Sequence, residues 1–265
     1  MLKLYPLYSG SSGNMYLIKS PTSTVIVDIG VSFKALCQCL DTLSINIQDI
    51  SALLITHEHS DHTKGISTFI NKTNIPIYTT EGTKDYLLQK HMDKLKSTPT
   101  INCIYPEKDL LIGDILITPF KTSHDAVDPV GYTLKHDEST LTIATDLGYV
   151  SDNVYEHLVN SNLSVIESNY DRELLLLGPY TYPLKCRIQS DIGHLSNSDT
   201  SNLILDLAKV GKRDFVLGHI SHNNNEPEQA LFCVNETLKN NGFDLNEFNI
   251  TCATRDVSFE VYDLW

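Results

Sequence analysis

The sequence predicts an α/β fold. Short apolar runs bounded by turn residues recur along the chain as strands, and segments of helical periodicity separate them, giving two runs of strands interleaved with helices. Several apolar runs also end in a histidine or a carboxylate, which places chemistry-bearing side chains at strand ends, where binding loops belong.

Leu2–Tyr8 reads as the opening strand, followed by the turn-rich Ser9-Gly10-Ser11-Ser12-Gly13-Asn14 and by strands at Met15–Ile18 and Thr24–Ile29. The Ser-Gly turn has two readings, a flexible hairpin or an anion-binding nest of amides and hydroxyls. Asp28 ends the run Val25-Ile26-Val27 ahead of Gly30, so it is either a turn residue or a carboxylate that orients a metal-bound histidine from behind. Cys37-Gln38-Cys39 lies in a helical region, and isolated thiols explain it better than a soft-metal chelate. Ala52–Ile55 has the length of a buried strand. After Ser60, a candidate N-cap, Thr63–Asn71 places Ile66, Phe69 and Ile70 on one helical face.

A strand at Ile75–Tyr78, a helix over Lys84–Leu95 and extended segments at Ile101–Tyr105 and Ile115–Phe120 follow. Thr122-Ser123-His124-Asp125 then repeats the pattern of a polar strand end, as does Leu141-Thr142-Ile143-Ala144-Thr145-Asp146. The remainder reads as a helix at Val154–Leu158, a strand at Leu163–Ile166, a helix at Asp199–Lys209, a strand at Phe215–Leu217 leading to His219, and a helix at Glu228–Lys239. Lys185 and Arg187, two apart on a segment read as extended, would point the same way toward a phosphate or toward solvent, with solvent favoured. No linker or repeat interrupts the pattern, so one domain over residues 1–265 is expected.

The densest chemistry is in Leu53-Leu54-Ile55-Thr56-His57-Glu58-His59-Ser60-Asp61-His62. Side chains alternate along extended backbone, so His57 and His59 project together and can pinch one ion, while Asp61 and His62 face a second. Asp61 is expected in the first turn of the following helix, where the dipole favours a carboxylate. Imidazole and carboxylate without thiolate suit zinc or manganese, with iron also compatible. His91, His136 and His157 have no such neighbours and are assigned to packing or surface.

The formal net charge of −13 argues against broad adsorption to nucleic acid, though it leaves local phosphate binding open. Six cysteines without regular spacing read as reduced thiols. Neither an apolar leader nor a membrane-length segment is evident, so a cytoplasmic protein with no membrane partner is expected.

Asp28, His57-Glu58-His59-Ser60-Asp61-His62, His124, Asp146 and His219 occur in an order that resembles the metallo-β-lactamase superfamily across almost the whole chain. The resemblance implies a four-layer αββα sandwich with two divalent metal ions at one edge. His57, His59 and His124 would hold one ion, Asp61, His62 and His219 the other, and Asp146 would bridge them, with Asp28 behind. Tyr8-Ser9-Gly10-Ser11-Ser12-Gly13-Asn14, Thr145-Asp146-Leu147-Gly148, Glu167-Ser168-Asn169-Tyr170-Asp171, Gly193-His194-Leu195-Ser196-Asn197 and His219-Ile220-Ser221 are more specific. They resemble the YycJ/WalJ branch, which is similar in site layout to tRNase Z and implies nuclease-type hydrolysis, including exonucleolytic DNA processing.

On that footing the expected activity is a dinuclear phosphodiesterase using a metal-bridging hydroxide, with nucleic acid as substrate and DNA favoured over RNA. Asp61, Asp146 and His194 are the candidate catalytic groups. His194 protonates a leaving group or clamps phosphate, and Asn14, Asn169 and Asp171 are candidate substrate contacts with it. The competing functions are a thioester or lactone hydrolase of the glyoxalase II type and a non-catalytic metal-bound module that binds nucleic acid.

Overall fold

The structure, a computed structural model, describes residues 1–95 and 99–264. Its first sheet is built from β1 (Leu2–Tyr8), β2 (Met15–Lys19), β3 (Thr24–Val27), β4 (Ala52–Leu54), β5 (Ile77–Thr79) and β6 (Ile101–Cys103). The second comprises β7 (Leu110–Ile112), β8 (Ile115–Lys121), β9 (Val130–His136), β10 (Ser139–Ala144), β11 (Leu163–Glu167), β12 (Asp214–Gly218) and β13 (Asn249–Cys252). The last strand, β14 (Tyr262–Leu264), returns to the first sheet and pairs antiparallel with β1, Leu2 opposite Leu264. Among the described residues each sheet has seven strands, ordered β14-β1-β2-β3-β4-β5-β6 and β13-β12-β11-β10-β9-β8-β7. Both are mixed: β3 through β6 run parallel, as do β10 through β13, and the other pairs are antiparallel.

The helices are α1 (Phe33–Thr42), α2 (Ser60–Thr63), α3 (Ile66–Lys72), α4 (Glu81–His91), α5 (Asp152–Val159), α6 (Arg172–Leu177), α7 (Tyr182–Ile188), α8 (Asn197–Lys209) and α9 (Pro227–Asn240). The alternation of side chains along each strand sorts them into layers. Leu4, Ile18, Val25 and Leu54 of the first sheet meet Ile117, Leu134, Ile143 and Val165 of the second in the central core. Leu17, Ile26 and Leu53 point the other way, onto Leu36, Leu40, Phe69 and Leu87 of α1, α3 and α4. On the far side Phe120, Ile166 and Leu217 pack under Leu158, Leu203, Leu207 and Val234 of α5, α8 and α9. Helices therefore cover both outer faces of two stacked sheets, the αββα sandwich.

Several boundaries depart from the expectations in informative ways. β3 stops at Val27 because Asp28 has φ 63, a left-handed conformation that ends the ladder. The expected single helix after the histidine motif is two, α2 and α3, divided at Gly65, where a Cβ would lie 2.4 Å from the Val31 carbonyl. Ser60 lies inside α2 and His59 takes the N-cap position, while Asp61 is in the first turn as expected. Lys185 and Arg187 are helical, within α7, with Pro183 tolerated in its first turn. Lys185 donates to the carbonyls of Leu176 and Gly178, and Arg187 pairs with Asp125, so both have protein partners. No helix among the described residues is long and apolar enough to cross a membrane.

Candidate metal centre

The polar residues at the ends of β3, β4, β10, β11 and β12 converge on one edge, with the loop after β8. Ligands of open α/β sheets gather at such carboxyl ends. Backbone strain marks the place: Asp28, Asp146 and His219, each just beyond a strand, have φ of 63, 59 and 53. Asp and His tolerate this region better than most residues, but it persists only where the surroundings hold it.

Within this edge the ring nitrogens of His57, His59 and His124 lie close enough to share an ion, and Nδ1 of His59 is 3.2 Å from Nε2 of His124. Nδ1 of His124 lies 3.0 Å from the Gly193 carbonyl, which turns its Nε2 inward. A second group comprises Asp61, His62 and His219, with Asp61 Oδ2 3.4 Å from Nε2 of each histidine. Asp146 stands between the groups: Oδ1 is 3.6 Å from His124 Nε2 and Oδ2 is 3.4 Å from His62 Nε2. Asp28 accepts from the Thr56 amide at 2.9 Å and lies 2.7 Å from His62 Nδ1.

His57 Nε2 and Asp146 Oδ2 are buried without a hydrogen-bond partner among the described residues. Orphaned buried polar atoms of this kind are costly unless something else satisfies them. Both atoms face a cluster of nitrogen and oxygen donors, the set that hard or borderline divalent cations take, so the residues fit metal.

The electrostatics fit as well. Burial, reinforced by the neighbouring His62, holds His57 well below the ordinary histidine range, and burial lowers His124, which keeps both imidazoles neutral. For His219 burial opposes the charged form, yet Asp146, Asp61 and Glu167 lift it to about 10. His62 is likewise raised by Asp146, Asp28 and Asp61 against the effect of burial. Burial also works against ionising Asp61 and Asp146, but the surrounding histidines hold both well below the usual carboxylate range. Without cations the carboxylates and two of the histidines thus compensate one another.

Glu167 has a role that the residue-by-residue reading missed. It ends β11, is fully buried, and places Oε1 2.7 Å from Nδ1 of both His194 and His219. Its other oxygen accepts from the Leu147 and Leu195 amides. The two histidines, above all His194, hold it down at about 2 despite burial. The signal was present: Glu167 is a carboxylate terminating an apolar strand, as Asp146 is. Glu58 was also passed over. It is buried and accepts from the Val127 amide, tying the histidine motif to the segment that carries His124.

His194 joins the cluster, its ring 5.0 Å from that of His124 and 5.3 Å from that of His219. Asn14 is buried, with Nδ2 3.1 Å from His62 Nε2 and 3.4 Å from Asp61 Oδ2. Asn169 is buried and donates to the His219 carbonyl at 2.8 Å. Asp171 caps α6, accepting from the Glu173 and Leu174 amides. The Ser-Gly turn packs beneath the site: Ser9 Oγ accepts from the His219 amide, and the Asn14 amide donates to the Asp61 carbonyl.

Comparison with known proteins agrees with this architecture. The family model described as "Beta-lactamase superfamily domain" matches residues 24–220. The chain is 35% identical over 259 residues to a Bacillus anthracis protein named exodeoxyribonuclease YycJ, covering 97% of this chain and 93% of that one. It is 36% identical over 225 residues to exodeoxyribonuclease WalJ of Streptococcus pneumoniae serotype 2, covering 84% and 83%. The crystal structure of the short form of human tRNase Z superposes with a TM-score of 0.66 over 99% of each chain at 13% identity, a likeness of fold. On its sequence and its architecture alike, the chain belongs to the β-lactamase superfamily, in the family of YycJ and WalJ.

Proposed function

We propose that the chain is a dinuclear, divalent-metal-dependent phosphodiesterase that acts as a nuclease, with DNA its preferred substrate. The carrying observation is the pair of three-residue donor groups on either side of Asp146, with His57 Nε2 and Asp146 Oδ2 buried and without a hydrogen-bond partner among the described residues. The names of the Bacillus anthracis and Streptococcus pneumoniae relatives support the choice of DNA.

On this reading His57, His59 and His124 would hold one cation and Asp61, His62 and His219 the other, with the Asp146 carboxylate lying between the two donor groups. When bound, two such ions would lower the pKa of water and offset negative charge on phosphoryl oxygens. The protein's part is to place and to proton-manage. Asp28 fixes the His62 ring through Nδ1, and the Gly193 carbonyl does the same for His124. Asp61, partly exposed where its neighbours are buried, would present an ionised carboxylate that accepts a hydrogen bond from water and orients it. Glu167 orients His194, whose Nε2 then delivers a proton to the leaving oxygen. Because both sheets and the loops between them supply these groups, we take the chain to work as one domain.

The test is hydrolysis of bis(p-nitrophenyl) phosphate beside end-labelled DNA and RNA, with manganese or zinc and with a chelated control. Metal-dependent DNA cleavage is expected, with RNA cut more slowly. Absence of phosphodiester turnover with either metal would sink the proposal and leave thioester or lactone hydrolysis, or metal-dependent nucleic-acid binding without turnover, to be assayed.

A further inference from the structure

A cavity of about 580 Å³ opens beside His194, lined by Tyr149, Tyr170, Arg172, Gln189, Asp199 and Asn202 among others. This is within the roughly 300–1,000 Å³ typical of small-molecule sites. Among the histidines of the donor cluster it is lined by His194, so a molecule seated here adjoins the centre at that residue.

The lining favours an uncharged planar group over a phosphate. Arg172 is already engaged, donating to Ser196 Oγ and to both carboxylate oxygens of Asp199, and Asp191 adds a second carboxylate with no basic partner in the lining. A phosphate would meet net negative charge here, whereas amide side chains at Gln189 and Asn202 offer hydrogen-bond donors and acceptors. Tyr149 is 51% exposed, and its backbone is pinned on both sides by Ser123 Oγ, so the ring is presented from a fixed point. An aromatic face held at the edge of a polar cavity is the arrangement that stacks nucleobases. One end is closed by contact of Gly148 with Asp191, where a Cβ would lie 2.2 Å from the backbone.

We propose that this cavity seats the base and sugar of the nucleotide next to the scissile phosphate, with Tyr149 as the stacking face. The inference rests on the phosphodiesterase reading for the position of the phosphate, and adds that recognition extends to one nucleoside. It requires that a mononucleotide bind more tightly than phosphate alone, by the contribution of its base.

The experiment is calorimetric titration of the metal-loaded protein with inorganic phosphate, deoxyadenosine 5′-monophosphate and deoxyadenosine 3′-monophosphate. It is repeated on Tyr149→Ala, Tyr149→Phe and Asn202→Trp. Tyr149 and Asn202 are both exposed, so none of these substitutions disturbs the core. One of the two nucleotides is expected to bind about tenfold or more tighter than phosphate, the scale of one base on an aromatic ring. That advantage should largely vanish in Tyr149→Ala and in Asn202→Trp, which fills the cavity, and persist in Tyr149→Phe. Equal affinity of phosphate and both nucleotides for the wild type, or an advantage that survives both disruptive variants, overturns the assignment. Turnover is scored separately on bis(p-nitrophenyl) phosphate: binding with no turnover removes the catalytic reading and leaves the pocket, and the converse removes only the pocket.

Discussion

Asp28 Oδ2 lies 2.7 Å from His62 Nδ1, and both side chains are buried. The contact holds the other ring nitrogen of His62 toward Asp61 and Asp146. Replacing Asp28 with alanine leaves the ring without its anchor, so affinity for divalent cations should drop about 10–100-fold. Competition with a chromophoric chelator measures this, and unchanged affinity would mean that the ring is fixed by other contacts.

Glu167 couples His194 to His219 through one carboxylate oxygen. For Glu167→Gln we expect DNA cleavage to fall about 10²-fold or more, because the proton donor loses its orienting charge. His194→Ala should slow cleavage by about 10²–10⁴-fold with cations still bound. Metal content by mass spectrometry separates the roles, since loss of cations from His194→Ala would make that residue a ligand.

Gly30 touches the backbone of the site. A Cβ there would lie 1.6 Å from the Asp61 carbonyl and 2.5 Å from the Asn14 amide nitrogen, neither of which is a movable side-chain end. Gly30→Ala should therefore cost about 1–3 kcal/mol as an overpacked position and displace Asp61. A lowered thermal midpoint together with weakened metal binding is expected, and a wild-type midpoint would contradict the close packing of Gly30 against the Asp61 loop.

Stability of the metal-free protein should pass through a maximum near pH 6.5. His62 and His219 have folded pKa values raised above 6.5, so their contribution is complete below that pH and is lost as pH rises, for His219 through about 10. His57 and His124 are shifted downward, so the unfolded chain takes up their protons first and stability falls as pH drops below 6.5. Glu167, depressed from 4.5 to about 2, contributes above 4.5 and loses that contribution as pH falls through about 2. Bound cations require neutral imidazole, so loading should shift the optimum to higher pH. Thermal midpoints of the metal-free protein that climb steadily from pH 7 to 9 would contradict the charge balance described for the cluster.

The strands were legible where apolar runs were long enough to show themselves, as in β1 and β8, and their polar termini pointed correctly to one converging edge. The strands β7, β9, β13 and β14 were not: Leu110–Ile112, Asn249–Cys252 and Tyr262–Leu264 are three or four residues long, and Val130–His136 is longer but broken up by Gly131, Thr133 and Lys135, so all four owe their conformation to neighbours distant in sequence. Gly65 split the expected helix through tertiary contact with Val31, which no local pattern encodes. The segment around Lys185 read as extended but is helical, fixed by the Pro183 start and by the Lys185 contacts to Leu176 and Gly178. The stacking of two sheets came from family resemblance and not from periodicity. Glu167 escaped notice because its meaning lies in two histidines, 27 and 52 positions away, that only the fold brings to one oxygen.

The most direct test of the central claim is to titrate metal-free protein with manganese or zinc while following bound metal and the rate of DNA cleavage in the same samples. Two equivalents per chain, with the rate rising to its plateau as the second fills, is the predicted result. Full activity in the chelated protein, or a plateau reached with one ion bound, would contradict a dinuclear centre.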